Sequence, residues 1–411
     1  MTSANRLGRP FWLLLGSSAG ANFADGAMLV AMPLLATTLT RDPVAISALS
    51  SSQFLPWLLF AVLSGALVDR YPRRLAMGWA NVFRVAVMIS VCALIINNQM
   101  TLLLIYISVF LVGMSETIFD SAGRAMLPEV VGRPNLERGN AWLTATDTTG
   151  QTFIAPPLGS FLFAAATVSP FIFGTVGWAV SAALVFCLPK ARKAAGGRPR
   201  ASVLVDVKAG LGWLWRHDFL RRYTILCGFD SGIHAMSGGV LVLYGLQTLR
   251  LSQAQFGLWI LSAGIGGLIG AVAAPLASRR IGRTRSQSAA LFVGAVAIIP
   301  MWLTTNPWLA GVAFGITAGA VSIWNINSMS VRQAIIPTEL FGRVQGAYRT
   351  LVWGLIPVGS LAGGVIAKWT SVPVVFLVTG ALALVTATLI GRLLSKYKDD
   401  IATAYVGVGE S

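Results

Sequence analysis

The chain is a succession of long apolar runs separated by short polar turns. A helix needs about 20 apolar residues to cross a bilayer, and more when it is tilted. Runs of this length cover residues 11–38, 45–69, 75–96, 100–123, 138–164, 168–189, 221–248, 254–278, 286–305, 308–331, 342–368 and 372–394. Hydrocarbon offers no hydrogen-bond partner to a backbone group, so such runs fold as helices, in which the backbone groups pair with one another. We therefore predict an all-α membrane protein with twelve transmembrane helices.

The charge distribution sets the expected topology. Only 11% of the 411 residues are charged, against about 25% in soluble domains, yet the net charge is +16. Lysine and arginine concentrate in alternate turns, namely the N-terminal stub, 65–74, 124–138, 190–222, 279–285, 332–349 and the tail. This alternation follows the positive-inside rule and predicts a multi-pass protein of the cytoplasmic (inner) membrane with both termini cytoplasmic. The basic balance thus indicates topology and a lipid-bilayer partner rather than nucleic acid.

Metal, disulfide and nucleotide chemistry have little support in the sequence. The three cysteines, Cys92, Cys187 and Cys227, lie in apolar segments without CxxC spacing, so we expect no disulfide framework and no metal site. No G-x-x-x-x-G-K-[ST] motif occurs, so ATP is not expected to act directly. We expect no cofactor.

The two halves of the chain resemble each other. A polar linker begins at Pro189, and it divides the chain into residues 1–189, a linker with an amphipathic segment at 190–220, and residues 221–411. Three short motifs recur at similar offsets of 200, 206 and 209 residues: Pro157-Leu-Gly-Ser160 with Pro357-Val-Gly-Ser360, Phe23-Ala-Asp-Gly26 with Phe229-Asp-Ser-Gly232, and Leu67-Val-Asp-Arg70 with Leu276-Ala-Ser-Arg279. We predict two pseudo-symmetric halves of six helices.

The turn after the second span carries the most diagnostic motif. It reads Gly65-Ala-Leu-Val-Asp-Arg-Tyr-Pro-Arg-Arg74, which resembles the G-x-L-x-D-R-x-x-R-R loop of major facilitator superfamily transporters. Pro72 departs from the usual glycine. The resemblance implies the major facilitator fold, and a gating role for Gly65, Asp69, Arg70, Arg73 and Arg74. Asp69 would lie near the start of the eleventh span, and Arg70 and Arg73 would pair with Glu129 or Glu137. The simpler interpretation is that the arginines only fix topology.

A second motif resembles a glycine-proline run of exporters in that superfamily. It reads Gly150-Gln-Thr-Phe-Ile-Ala-Pro-Pro-Leu-Gly-Ser160, with Ala155 and Ser160 in place of two glycines. The resemblance implies gating roles for Gly150, Pro156, Pro157 and Gly159; close helix packing by small residues is the alternative. Asn22-Phe-Ala-Asp25, Leu127-Pro-Glu-Val-Val-Gly132 and Gly342-Arg-Val-Gln-Gly346 are further resemblances to the drug and siderophore exporters, the group with macrolide-efflux and enterobactin-export proteins.

Acids within the spans are the candidates for proton coupling, because a charge at the bilayer centre is costly. Asp25 lies midway along the first span and is the principal candidate, with a structural, hydrogen-bonded role as the alternative. Asp230 and His234 share a face of the seventh span and form a candidate proton relay, although a buried His is more often structural. Glu116 and Asp120 share a face of the fourth span and are the remaining candidates. We expect one of them to neutralise the intramembrane Arg84.

Polar and aromatic residues of the inner spans are the candidates for substrate binding. A large, mostly apolar cavity with scattered amides suits bulky amphipathic compounds, and Asp147 could contact a cationic substrate. The candidates are Asn22, Phe23, Trp142, Asp147, Gln151, Phe153, Trp324, Asn325, Asn327 and Trp353. The alternative for the aromatic residues is an interfacial belt facing lipid.

Together these features predict a secondary transporter. The leading hypothesis is a monomeric, proton-driven exporter (an antiporter) of hydrophobic or amphipathic small molecules such as drugs, antibiotics or metabolites, working by alternating access. A facilitator or importer of a small solute and a non-transporting membrane sensor are the alternatives. An enzyme is disfavoured, because two histidines and no nucleophile–base set give little to build one.

Overall fold

The structure is a computed structural model that describes residues 7–132, 135–189, 203–337 and 340–409. Within these ranges every regular element is helical. The helices before the linker are α1 Arg9–Leu39, α2 Pro43–Arg70, α3 Arg73–Ile96, α4 Leu102–Val131, α5 Leu136–Asp147, a π-helical segment Thr148–Ile154, α6 Ala155–Ala165 and α7 Ser169–Phe186. All six spans predicted for this half are therefore helical, the fifth being α5, the π-helical segment and α6 in succession.

The remaining helices begin with one inside the predicted linker and continue to residue 409. They are α8 Val203–Arg216, α9 Asp218–Leu243 with a π-helical segment Tyr244–Thr248, α10 Gln253–Ile281, α11 Arg283–Ile298, α12 Pro300–Leu303, α13 Pro307–Ile335, α14 Phe341–Trp353, α15 Ile356–Trp369, α16 Val372–Lys396 and α17 Lys398–Gly409. The predicted amphipathic segment is α8. Helix α17 lies in what the sequence suggested was only a short tail.

Eleven helical stretches of the described chain are long and apolar enough to cross a membrane. The fifth predicted span is the one outside this set. Its first part, α5, contains Glu137, Arg138, Asn140 and Asp147 within twelve residues, so its sequence is the most polar of the twelve predicted spans. The all-α membrane fold is confirmed.

Contacts divide the described residues into two units. The first consists of Met1–Thr40, Ser52–Val203 and Gln253–Gly257, and the second of Arg41–Ser51, Leu204–Ser252 and Leu258–Ser411. In the first unit α1 packs against α4, α6 and α7, and α3 packs against α4 and α7. In the second unit α9 packs against α14, α15 and α16, and α11 packs against α13 and α16. The boundaries 1–189, 190–220 and 221–411 stay a prediction.

The repeated Pro-x-Gly-Ser motif occupies the same kind of position in both units. In the first, a Cβ on Gly159 would lie 2.5 Å from the carbonyl oxygen of Ala27, so α6 crosses α1 in close contact. In the second, a Cβ on Gly359 would likewise overlap the Gly232 backbone on α9. Glycine is required at both crossings because any side chain would push the two helices apart.

The serine of each motif makes an equivalent hydrogen bond. Ser160 Oγ donates to the carbonyl oxygen of Gln253 at 2.6 Å in the first unit. Ser360 Oγ donates to the carbonyl oxygen of Ser47 at 2.8 Å in the second. Both acceptors lie in the first turns of a helix, α10 and α2. The internal sequence repeat therefore corresponds to a repeated helix contact.

Candidate functional site

A buried ion pair lies inside the first unit. Asp25 on α1 is 7% exposed and Arg84 on α3 is fully buried. Arg84 Nη1 lies 3.4 Å from Asp25 Oδ2, and the indole Nε1 of Trp178 on α7 donates to Asp25 Oδ1 at 3.2 Å. A charge of this depth in a membrane span is retained only with a partner. Three helices therefore meet at the Asp25 carboxylate.

A chain of hydrogen bonds continues from Arg84 back to α1. Arg84 Nη1 donates to Asn81 Oδ1 at 3.3 Å, and Asn81 Nδ2 donates to Ser181 Oγ at 2.7 Å. Ser181 Oγ in turn donates to the carbonyl oxygen of Ser17 at 2.8 Å. Burial without partners would be costly for each of these groups. We call Asp25, Arg84, Trp178, Asn81, Ser181 and Ser17 the buried polar centre.

The ion-pair partner of Arg84 in this structure differs from the expected Glu116 or Asp120. Arg84 pairs with Asp25, whereas Asp120 lies 3.5 Å from Arg124 on the same helix. Residues four apart on a helix are neighbours, so the Asp120–Arg124 pair follows from local geometry. Glu116 accepts a hydrogen bond from Gln151 Nε2 at 3.4 Å. The proton-coupling role predicted for Asp25, Glu116 and Asp120 stays a prediction.

The π-helical segment Thr148–Ile154 lies against α1 next to Asn22 and Phe23. A Cβ on Gly150 would meet the Phe23 ring at 3.1 Å and Asn22 Cβ at 3.5 Å. Single π turns in helices often mark functional sites, because the extra residue changes the direction of the side chains that follow. Here the segment carries Gln151, which reaches Glu116.

The other substrate candidates of the first unit are more peripheral. Phe153 is half-buried and Asp147 is exposed. Trp142 is 44% exposed, and its ring centroid lies 6.1 Å from that of Trp12 in an edge-to-face arrangement. The structure therefore brings together Asn22, Phe23, Gln151 and Glu116, and it leaves Trp142 outside this group.

The second unit has its own buried acid. Asp230 on α9 is 5% exposed, and Thr386 Oγ1 donates to its Oδ1 at 2.6 Å. His234 Nδ1 lies 3.6 Å from Asp230 Oδ2 and 3.0 Å from the Asp230 carbonyl oxygen. The ring is thus anchored to its own helix, with the carboxylate as a second neighbour. The geometry is compatible with the predicted relay and equally with a structural pair.

Asn327 has a packing contact that the sequence did not anticipate. The residue is buried, Ser278 Oγ donates to its Oδ1 at 2.7 Å, and its Nδ2 donates to Ser286 Oγ at 3.3 Å. Its side chain therefore joins α10, α11 and α13, and its predicted role in substrate binding stays a prediction. A related contact joins Tyr223 to Ser328 at 2.7 Å.

The remaining candidates of the second unit differ in their surroundings. Trp353 is half-buried and lies beneath Arg349, whose Cζ is 4.1 Å from the ring centroid. Trp324 is half-buried against a hydrophobic core that includes Val331 and Tyr348. Asn325 is exposed. The Arg349–Trp353 contact follows from their spacing of four residues on α14, whereas the core contact of Trp324 does not follow from spacing alone.

The charged turn after α2 is described only in part. The side chains of Gly65, Asp69 and Arg70 lie outside the described part of the structure, although α2 runs through them. The two arginines that open α3 contact α4 and the segment that follows α7. Arg73 Nη1 lies 2.5 Å from Glu129 Oε1, one of the two partners considered for it, and Arg74 Nη1 donates to the Leu188 carbonyl oxygen at 2.7 Å. Their gating role stays a prediction.

The other four gating candidates are buried in the first unit, where Gly150, Pro156, Pro157 and Gly159 lie at or near the contact of the fifth span with α1.

Among the residues that the structure describes, no three His, Cys, Asp or Glu side chains lie close enough to hold a metal ion.

Comparison with known proteins places the chain in one family. The model of the Major Facilitator Superfamily matches residues 14–358. The uncharacterized MFS-type transporter YfiS of Bacillus subtilis is 26% identical over 95% of both chains. The multidrug efflux pump Tap of Mycolicibacterium fortuitum is 24% identical, covering 92% of this chain and 93% of that one.

Two further comparisons concern a siderophore exporter and a solved structure. The enterobactin exporter EntS of Salmonella typhi is 26% identical, covering 76% of this chain and 74% of that one. The crystal structure of the nucleoside transporter NupG matches 94% of this chain and 99% of that chain with a TM-score of 0.74 at 13% identity. At that identity the match concerns the fold alone.

Proposed function

This chain belongs to the Major Facilitator Superfamily and is a transporter rather than an enzyme, and we propose that it is a proton-coupled exporter of hydrophobic or amphipathic small molecules. The observation that carries the proposal is the Asp25–Arg84 pair inside the first unit. A carboxylate buried among apolar helices binds and releases protons at a cost that depends on its partner. Such a group can link proton movement to a change of conformation.

The direction of transport is proposed from the relatives. Tap is named a multidrug efflux pump and EntS an enterobactin exporter, and both match along most of this chain. The residues that the structure groups around the π-helical segment, Asn22, Phe23 and Gln151, combine an aromatic ring with two amides. That combination suits amphipathic molecules with a few hydrogen-bonding groups.

The proposal also includes a location and an oligomeric state. We expect a monomer in the cytoplasmic membrane with both termini on the cytoplasmic side, and no nucleic-acid partner or cofactor, the proton gradient being the energy source. The alternation of positive charge supports this topology.

Accumulation assays test the function. The protein is expressed in a bacterial strain without its main efflux pumps, and the cellular content of a lipophilic cation, a macrolide and a catecholate siderophore is measured with and without a protonophore. The proposal predicts lower accumulation of at least one compound, abolished by the protonophore. Higher accumulation, or a protonophore-insensitive effect, would instead indicate an importer or a facilitator, and no effect on any compound would leave a sensor as the better account.

A further inference from the structure

The guanidinium of Arg84 is only partly used in the contacts described above. It is fully buried, with its Cζ 5.5 Å from the ring centroid of Phe119 and 5.6 Å from that of Trp178. Its Nη1 makes both hydrogen bonds, to Asp25 and Asn81, whereas Nε and Nη2 have no hydrogen-bond partner. Unpaired donors on a buried cation are costly. A second acceptor is therefore expected in some state of the transporter.

Asp25 does not use the guanidinium fully either. It contacts a single nitrogen at 3.4 Å, near the upper limit for a hydrogen bond. Carboxylates and arginine pair most strongly through two parallel N–H···O bonds. The observed contact is therefore a weak version of the pair, and it leaves one edge of Arg84 open to another carboxylate.

Glu116 is placed to be that carboxylate. It lies three residues before Phe119 on α4, so it shares the helix face that contacts Arg84. Glu116 interacts electrostatically with both Asp25 and Arg84. Its described hydrogen bond comes from Gln151 and is long, at 3.4 Å. A half-buried glutamate with three rotatable bonds can leave such a contact easily.

The other charged groups around this site are accounted for. Asp120 on α4 lies 3.5 Å from Arg124, and Asp147 on α5 is exposed. Both interact with Asp25 over a longer range. Arg84 is thus the one cation shared by Asp25 and Glu116 among the described residues near them. In a medium of low dielectric constant, two ionised carboxylates with one guanidinium would leave an uncompensated charge.

We propose that Arg84 is a positioning residue that exchanges carboxylate partners, so that Asp25, Arg84 and Glu116 together hold one proton. In the structure described here, Asp25 is ionised and paired with Arg84. Glu116 carries the proton and accepts the hydrogen bond from Gln151. In the second arrangement Asp25 carries the proton, and the ionised Glu116 accepts hydrogen bonds from Nε and Nη2 of Arg84. One O–H bond breaks on Glu116 and one forms on Asp25, so the total charge is unchanged.

The exchange would connect the proton to the substrate region, and this step rests on the proposed function. When Glu116 turns to Arg84, the amide of Gln151 loses its acceptor and becomes available to a substrate beside Asn22 and Phe23. Whether the proton lies on Asp25 or on Glu116 would then determine whether the Gln151 amide is free to bind a substrate.

Infrared spectroscopy of the purified, substrate-free protein tests the exchange without transport. The C=O stretch of protonated carboxylic acids is recorded at neutral pH for the wild type and for Asp25→Asn, Glu116→Gln and Arg84→Gln, with Asp42→Asn as a control outside the site. We expect the Asp25–Arg84–Glu116 site to contain one protonated acid in the wild type and the control. We expect none in Asp25→Asn, because Glu116 then ionises on the freed Arg84, and two in Arg84→Gln.

The decisive outcome is that of Asp25→Asn. A band that persists there and disappears only in Glu116→Gln would overturn the exchange, because Glu116 would then keep its proton independently of Arg84. This variant suffices if Arg84→Gln does not fold. If the band is lost in Asp25→Asn but transport by the wild type does not depend on the proton gradient, the exchange is retained and the proposed function is rejected. The two failures are therefore distinguishable.

Discussion

The crossing of α6 over α1 at Gly159 gives a quantitative test of the packing. A Cβ at this position would lie 2.5 Å from the carbonyl oxygen and 2.9 Å from the Cα of Ala27. Both neighbours are backbone atoms, so the two helices must separate to accept even alanine. Overpacking of this kind costs about 1–3 kcal/mol, whereas alanine gains about 0.8–1 kcal/mol over glycine in a helix. We expect Gly159→Ala to be destabilising by about 0–2 kcal/mol.

A matched glycine removes the helix-propensity contribution. A Cβ on Gly238, within α9, has no atom within 4 Å, so Gly238→Ala receives the same propensity gain of up to about 1 kcal/mol without the clash. The two variants should therefore differ by the overpacking cost alone, about 1–3 kcal/mol. Thermal denaturation in detergent, followed by the monodisperse fraction, should rank Gly238→Ala above the wild type and Gly159→Ala below it. Equal stability of the two variants would refute the close crossing.

Two further predictions concern contacts in the second unit. Asp42 pairs with Lys368 at 2.7 Å, and the Lys368 hydrogen bond lowers the Asp42 pKa. The contribution to stability is therefore present above the ordinary aspartate pKa and is lost as the pH falls through the lowered value. Asp42→Asn should cost less than about 1 kcal/mol at neutral pH and nothing in strong acid, as measured by the denaturation midpoint at both pH values; an equal loss at both would contradict the ion pair. Ser360→Ala should remove the hydrogen bond to Ser47 and cost about 0.5–1.5 kcal/mol in the same assay, and an unchanged midpoint would argue against that bond.

The fold was predictable from the sequence because lipid imposes a strong constraint. Each membrane helix must satisfy its own backbone, so the apolar runs determine the helices. Every predicted span is helical, including the fifth, where α5 is polar and only α6 is strongly apolar. The π-helical segment Thr148–Ile154 could not be predicted in this way, since an extra residue in a turn leaves no mark on hydropathy.

The residues of the site were easier to predict from the sequence than the pairs that they form. Asp25 stood out as an acid in an apolar run, and residues three or four apart on one helix can be paired from their spacing, as for Asp120 and Arg124. The partner of Arg84 lies 59 residues away on another helix. Such a contact depends on the rotation of α3 against α1, which the local sequence does not determine. The same holds for the Trp178 indole on α7.

The most direct test of the account is substrate-driven proton movement in liposomes containing the purified protein. A pH-sensitive dye reports proton flux when an accepted compound is added, for the wild type, Asp25→Asn and the control Asp42→Asn. The account predicts proton flux with the wild type and the control, and none with Asp25→Asn, although that variant still binds the compound. Normal proton flux with Asp25→Asn would contradict the assignment of proton coupling to the Asp25–Arg84 pair.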